Sequence, residues 1–151
     1  MDIEDVQISD SQLRELIAEL NTYLVSLYPP ESCFLDSVER LLAEDAYFAV
    51  ARVGDELAGC GAVKFETAEY GELKRIFVRP AFRRQGIARA IMSHLEQQAR
   101  QRGVTLLRLE TGIYQSESIL LYETLGYVRC GAFGCYDARR DVYSVFMEKR
   151  L

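Results

Sequence analysis

Leu73-Lys74-Arg75-Ile76-Phe77-Val78, then Arg79-Pro80, then Ala81-Phe82-Arg83-Arg84-Gln85-Gly86-Ile87-Ala88 and onward to Arg100 is the stretch that decides the fold. Its first six residues read as a strand, and Pro80 stops it because proline has no N–H to give to a ladder. Ile87, Ile91, Leu95 and Ala99 then recur at every fourth position, which lines one face of an α-helix. Gly103 follows and suits a left-handed C-terminal cap. A strand that feeds a helix through a basic, glycine-containing turn is a way to hold a phosphate. The first helical N–H groups lack intrahelical partners, and the helix dipole makes that end electropositive. Gly86 has no Cβ to keep an anion off the backbone, and Arg83 and Arg84 add charge that is fixed at physiological pH. On these residues alone a plain turn remains the alternative, as does a mononucleotide site for ATP.

A second segment narrows the choice. Arg83-x-x-Gly86-x-Ala88 resembles the Q/R-x-x-G-x-G/A signature of the GNAT superfamily of acetyl-CoA-dependent N-acyltransferases, and Leu120-Leu121-Tyr122-Glu123-Thr124-Leu125-Gly126-Tyr127 resembles that superfamily's L-Y-x-x-L-G-F/Y helix. The similarity spans essentially the whole chain. It implies one N-acetyltransferase domain over residues 1–151, of α+β class. The sheet is expected to be mixed and mostly antiparallel, with a splayed parallel pair and helices on both faces. It also implies transfer of acetyl from acetyl-CoA to the amine of a small molecule, by direct attack in a ternary complex.

Residue roles follow from the same resemblance. Arg83, Arg84, Gln85, Gly86, Ile87 and Ala88 would hold the pyrophosphate of coenzyme A. Ile76, Phe77 and Val78 would pair with the pantetheine arm through their backbone. Gln115 stands seven residues before Tyr122, where many relatives have Asn, and would bond the same arm. Tyr122 matches the family's general acid for the leaving thiolate; a phenol and a thiol titrate in the same range, about 8.5 to 10. Glu72, four residues before Ile76, matches a general base that works through water. Tyr23, Tyr28, Cys33 and Phe34 fall on helices that lie over the acceptor side in relatives. A homodimer through the last strands is a further implication. Alternatives are acetylation of a protein lysine or N-terminus, and a non-catalytic acyl-CoA-binding sensor or interaction module. The presence of both Glu72 and Tyr122 argues against the latter.

Composition bounds the partners. The 151 residues carry a net charge of −5. A basic footprint for nucleic acid is therefore missing, and an amine suits the surface better than an acidic substrate. No apolar run approaches the roughly 18–20 residues that cross a bilayer, so no membrane partner is expected. The acidic start, Met1-Asp2-Ile3-Glu4-Asp5, is unlike a signal peptide and points to the cytoplasm. Cys33, Cys60, Cys130 and Cys135 form no C-x-x-C pair and only His94 accompanies them, so neither a metal nor a disulfide framework is expected. Cys135, between glycine-flanked loop residues, is the cysteine expected to be exposed.

The rest of the chain reads as a first strand at 2–8, an N-cap at Asp10 or Ser11, a helix to Tyr28-Pro29-Pro30, and a short helix within 34–42. Tyr47–Val53 and Leu57–Phe65 read as a hairpin around Gly54-Asp55, with Gly59 and Gly61 marking a bulge or a close backbone approach. Thr105–Glu110 reads as a buried parallel strand broken by Thr111-Gly112, and Ser116–Thr124 as a helix ended by Gly126. Two closing strands, Tyr127–Phe133 and Tyr143–Lys149, flank a loop holding Arg139 and Arg140. Either Lys74 and Arg75 or Arg139 and Arg140 could meet a carboxylate on the acceptor. His94 falls at the margin of its helix's apolar face.

Overall fold

Asp10 opens the first helix by accepting from the backbone N–H of Gln12 at 2.9 Å and of Leu13 at 3.0 Å. In the computed structural model, which describes residues 1–6, 10–33, 46–65 and 67–151, this helix, α1, runs Ser11–Leu27 after strand β1, Asp2–Val6. Tyr28 ends α1 in the extended conformation that Pro29 imposes on its predecessor. The short helix expected within 34–42, and Phe34 with it, lies outside the described residues. Strands β2 (Ala46–Val53) and β3 (Glu56–Lys64) form the hairpin, with Gly54 at φ +63° in its turn. Then come β4 (Gly71–Val78), α2 (Ile87–Gln101), β5 (Leu106–Gly112), α3 (Ser116–Thr124), β6 (Val128–Arg129) and β7 (Ser144–Arg150). Gly103 takes φ +78° just past α2, as its position suggested.

Among the described residues the strands lie in the order β1-β2-β3-β4-β5-β7-β6, and β4 and β5 alone run parallel. Period-2 alternation assigns the side chains to two cores. Phe48, Val50, Cys60, Ala62 and Phe77 meet Leu13, Leu16, Ile17 and Leu20 of α1. Ala49, Ala51, Val63, Leu73, Leu107 and Leu109 meet Ile87, Ile91, Met92 and Leu95 of α2, and Tyr122 of α3 joins that side. The result is α+β with helices on both faces. Arg79 holds α1 over the end of β4: its guanidinium meets both carboxylate oxygens of Glu19, at 2.9 and 3.1 Å, and the carbonyl of Leu57 at 2.9 Å. Among the described residues no helix is long and apolar enough to cross a membrane.

Most strand ends shift by a residue or two from the sequence reading, and two boundaries differ in kind. Gly112 does not break β5 but continues it, paired with Ser144 of β7, because the ring of Tyr28 fills the space where a Cβ would stand. The first closing strand is only Val128–Arg129, with one further bond from Cys130 N–H to the Phe146 carbonyl at 3.0 Å. The pairing stops there, and Phe133 sets its ring edge-on to Tyr70, Tyr136 and Phe146.

The parallel pair positions the site. β4 and β5 face each other only at Gly71–Leu107, Glu72–Arg108 and Leu73–Leu109. Beyond Leu73, β5 follows β7 while β4 bulges against β3: Ala62 faces Lys74 and Cys60 faces Phe77, leaving Gly61 opposite both Arg75 and Ile76. Arg75 takes φ +58° in that bulge. Gly61 permits it, for a Cβ there would stand 2.7 Å from Ile91 and 2.8 Å from Ile76. The two strands separate, and backbone groups of Ile76 to Val78 face an opening.

Candidate active site

The mouth of α2 is built to be left open. Gly86 precedes it at φ +77° and supplies no capping side chain, and no acidic residue sits in the first turn. The first helical bond is Ala90 N–H to the Gly86 carbonyl at 3.0 Å, so the N–H groups of Ile87, Ala88 and Arg89 precede any intrahelical partner. Arg84, at φ +64°, curls the preceding backbone around the same point. Where α1 spends Asp10 on its own mouth, α2 offers bare donors and a positive dipole end, the chemistry of an anion site.

A groove of about 710 Å³ runs from this mouth along β4 to α3. Of the residues predicted from sequence, Ile76, Phe77, Val78, Arg83, Arg84, Gly86, Ile87, Ala88, Gln115 and Tyr122 line it. Gln85 is exposed and does not. Arg83 is engaged at the groove's edge: its Nε donates to the Val78 carbonyl at 3.1 Å, and its guanidinium stands 5.9 Å from the ring of Tyr23, which lines the groove from α1. Arg84 reaches Glu117 at 3.8 Å, but both side chains are exposed and such a pair contributes little.

A smaller cavity, about 80 Å³, opens where the sheet parts, and it meets the groove at Leu20, Ile76, Gln115 and Tyr122. Glu72, Lys74, Arg75, Glu110, Tyr28, Cys33 and Tyr136 form much of its wall. Side chains from both faces of the sheet reach it, because Leu73–Leu109 is the last facing pair. Gln115 is fixed at the junction: its Oε1 accepts from Gly112 N–H at 3.1 Å and from the Tyr28 hydroxyl at 3.4 Å. Tyr28 in turn accepts from Tyr114 N–H at 3.1 Å and stacks on the Tyr114 ring.

Two carboxylates share this cavity in different environments. Glu72 is buried, with Tyr136 donating to its Oε2 at 2.6 Å and the Lys64 ammonium 3.9 Å from its Oε1. Burial, then the charge of Glu72, pushes the Tyr136 phenol well above its ordinary value, so it stays a donor. Glu110 is half-buried and forms no ion pair among the described residues; burial raises it to about 7. The nearby Ser144 hydroxyl and Lys74 favour its charged form, while Glu72 and Asp141 oppose it. Tyr122 is buried and its hydroxyl makes no hydrogen bond among the described residues; burial, then Glu110, pushes it upward as well. The phenol is thus a weaker acid than its ordinary value suggested.

Glu110 and Tyr136 were not singled out from sequence. Glu110 closes the run Thr105–Glu110, where Arg108 and Glu110 alternate with Leu107 and Leu109, and that alternation was the available signal. Tyr136 lies in an aperiodic loop and gave none. Arg140 is not at hand for an acceptor: both oxygens of Asp141 hold it, at 2.8 and 2.9 Å, and it donates to the Cys135 carbonyl at 2.9 Å. Arg139 is exposed. Lys74 and Arg75 do line the cavity, Arg75 buried. His94 is part-buried far along α2, bonded to Tyr47 at 2.8 Å and Asp5 at 3.2 Å. Cys135 is exposed and Cys33 buried. Among the described residues no three His, Cys, Asp or Glu side chains gather as a metal site.

Bare donors at a helix mouth, a separated strand and a buried phenol between them fit an acyl thioester carried on a diphosphate. The comparisons agree. The model of the "Acetyltransferase (GNAT) family" matches residues 11–127. An "IAA acetyltransferase" of Azospirillum brasilense is 44% identical over 138 residues, covering 91% of this chain and 89% of that protein. A crystal structure of a candidate acyl-CoA N-acyltransferase from Klebsiella pneumoniae superposes with a TM-score of 0.82 at 34% identity, covering 99% of this chain and 97% of that one. PaiA N-acetyltransferase from Thermoplasma acidophilum, solved with coenzyme A, shares the fold at a TM-score of 0.76 and 22% identity, over 100% of both chains. The chain belongs to the GNAT acetyltransferase family and is an acetyl-CoA-dependent acyltransferase.

Proposed function

We propose that the chain, as one domain over residues 1–151, acetylates the primary amine of a small molecule by direct attack in a ternary complex. The observation that carries this reading is the junction at Tyr122, where a groove suited to the thioester meets a cavity holding two carboxylates. That cavity, about 80 Å³, takes an amine terminus and a few carbons, which favours a small acceptor over a folded protein surface. The relative named as an IAA acetyltransferase is consistent with a small-molecule acceptor.

Bound acetyl-CoA supplies an activated acetyl group on sulfur. Arg84 and the N–H groups at Gly86 to Ala88 hold its diphosphate, and backbone N–H groups around Val78 polarise the acetyl carbonyl. An acceptor arrives as an ammonium and must lose a proton before its nitrogen can attack. Glu110, at about 7, is matched to take that proton near neutral pH. Glu72, held by Tyr136 and Lys64, is better placed to orient the ammonium than to relay its proton. As the N–C bond forms and the C–S bond breaks, Tyr122 hydrogen-bonds the departing sulfur. The negative charge of Glu110 is one reason the Tyr122 phenol is a weak acid. Once Glu110 is protonated that repulsion is gone, so proton arrival at one residue favours proton release at the other. Of the two protons the nitrogen loses, one leaves through Glu110 and the other finishes on the thiol.

The test is a thiol-release assay with acetyl-CoA across a panel of amines, with Tyr122→Phe and Glu110→Gln alongside. Turnover with at least one small amine is expected, reduced roughly 10²- to 10⁴-fold in each variant with acetyl-CoA affinity little changed. Binding of acetyl-CoA without turnover on any amine or peptide points instead to a sensor.

A further inference from the structure

The loop between β6 and β7 carries one side chain into the acceptor cavity and braces it from behind. Tyr136 reaches in from Gly134–Asp141, and its hydroxyl donates to Glu72 Oε2 at 2.6 Å. Its ring is fixed by Phe133, at 5.2 Å between centroids, and by Phe146, at 5.4 Å. The loop itself is organised around Asp141, which is buried although charged. Asp141 Oδ2 accepts from Asp137 N–H at 2.8 Å, and both its oxygens hold Arg140. Asp137 Oδ1 accepts from Arg139 N–H at 2.8 Å, and Arg140 reaches back to the Cys135 carbonyl at 2.9 Å. The Arg140 guanidinium, and the bond from Asp137, hold the Asp141 carboxyl below its ordinary value. A loop tip with that much internal bonding is braced in one shape, and that shape sets Tyr136 against Glu72.

Glu72 needs this. It stands at the edge of the opening, and a carboxylate beside a gap can rotate away from the acceptor. One oxygen is oriented by Tyr136 and the other by Lys64, at 3.9 Å. We infer that Tyr136 is a positioning residue that fixes the Glu72 carboxylate for the acceptor's ammonium, and that the Asp141–Arg140 staple is what holds Tyr136 there. The inference rests on the acetyltransferase reading for what Glu72 receives, but the positioning itself is a property of the free protein.

Two measurements separate these layers. The first is a thermal double-mutant cycle on the unliganded protein, with Tyr136→Phe, Glu72→Gln and both together. Tyr136→Phe keeps the ring, so the aromatic packing survives and only the hydroxyl is lost. Coupling is expected: the double variant shifts the midpoint no further than the larger single one. Strictly additive shifts overturn the proposal, whether or not the protein turns over any amine. The second uses the best amine of the panel. Tyr136→Phe is expected to raise the acceptor KM at least tenfold while the acetyl-CoA KM stays within twofold. Asp141→Asn, whose side chain does not line the cavity, is expected to do the same to a smaller degree. An unchanged acceptor KM in Tyr136→Phe, or a rise in both KM values together, overturns the proposal. If Asp141→Asn fails to fold, Arg140→Gln tests the staple with the Asp141 charge kept. If the wild type acetylates no amine, the functional reading fails and the thermal cycle still decides the positioning claim.

Discussion

The ring of Tyr28 occupies the space that a Cβ on Gly112 would need. One residue ends α1 and the other continues β5, so this contact joins the helix over the acceptor cavity to the strand that walls it. Gly112→Ala is expected to destabilise by about 1–3 kcal/mol through overpacking, read as a drop of several degrees in the thermal midpoint. Tyr28→Leu in the same chain is expected to recover part of the loss. Additive losses in the double variant contradict the contact.

Gly86 and Gly103 flank opposite ends of α2 with nearly equal φ, +77° and +78°, and a Cβ at either meets nothing within 4 Å. Gly→Ala at each is thus expected to cost a similar amount, about 1 kcal/mol, from left-handed strain alone. Only Gly86→Ala puts a methyl where the diphosphate is proposed to sit. Calorimetric titration is expected to show acetyl-CoA affinity falling at least tenfold in Gly86→Ala and unchanged in Gly103→Ala.

Glu110 gives a pH dependence with a definite sign. Its carboxyl is raised from 4.5 to about 7 by burial, so the folded state binds the proton more tightly than the unfolded chain. Its contribution to stability is full below the unfolded value and is lost as pH rises through about 7. Thermal midpoints of the wild type are expected to fall across this window more steeply than those of Glu110→Gln. In activity the sign reverses, because the base works when deprotonated. The acid limb of kcat/KM is expected near pH 7, at the same position for amines of different basicity. A limb that tracks the amine assigns it to the substrate instead.

Glu96 and Lys149 hold the far half of α2 to β7, with ammonium–carboxylate distances of 2.9 and 3.0 Å and Glu96 buried. Lys149→Met leaves that carboxylate with the Tyr127 hydroxyl at 3.4 Å in place of an ammonium and is expected to cost about 1–3 kcal/mol in chemical denaturation. Acetyl-CoA affinity is expected to stay unchanged, since neither residue lines the groove.

What the sequence disclosed follows from the range of the interactions involved. Arg83 to Ala88 and Leu120 to Tyr127 could be read because a helix mouth and a helical face are set by neighbouring residues. The hairpin turn at Gly54 and the cap at Asp10 are local in the same sense. Gly112 was misread as a break because its reason for being glycine is Tyr28, distant in sequence. Glu110 escaped notice because its surroundings depend on how β5 pairs with β7 and parts from β4. Tyr136 escaped because a loop side chain has no period, and only its folded partners show where it goes. Arg140 could not be distinguished from a ligand-binding cation until Asp141 was seen to hold it.

One ligand is expected to bridge the mouth of α2 and the open edge of β4. Backbone amide NMR with acetyl-CoA titrated into the protein reads both places at once. The amides of Gly86, Ile87 and Ala88 and those of Ile76 to Val78 are expected to shift as one set with a single affinity, and ATP at the same concentration to leave the β4 set unmoved. Shifts confined to the helix mouth, or perturbation of neither set, would contradict it.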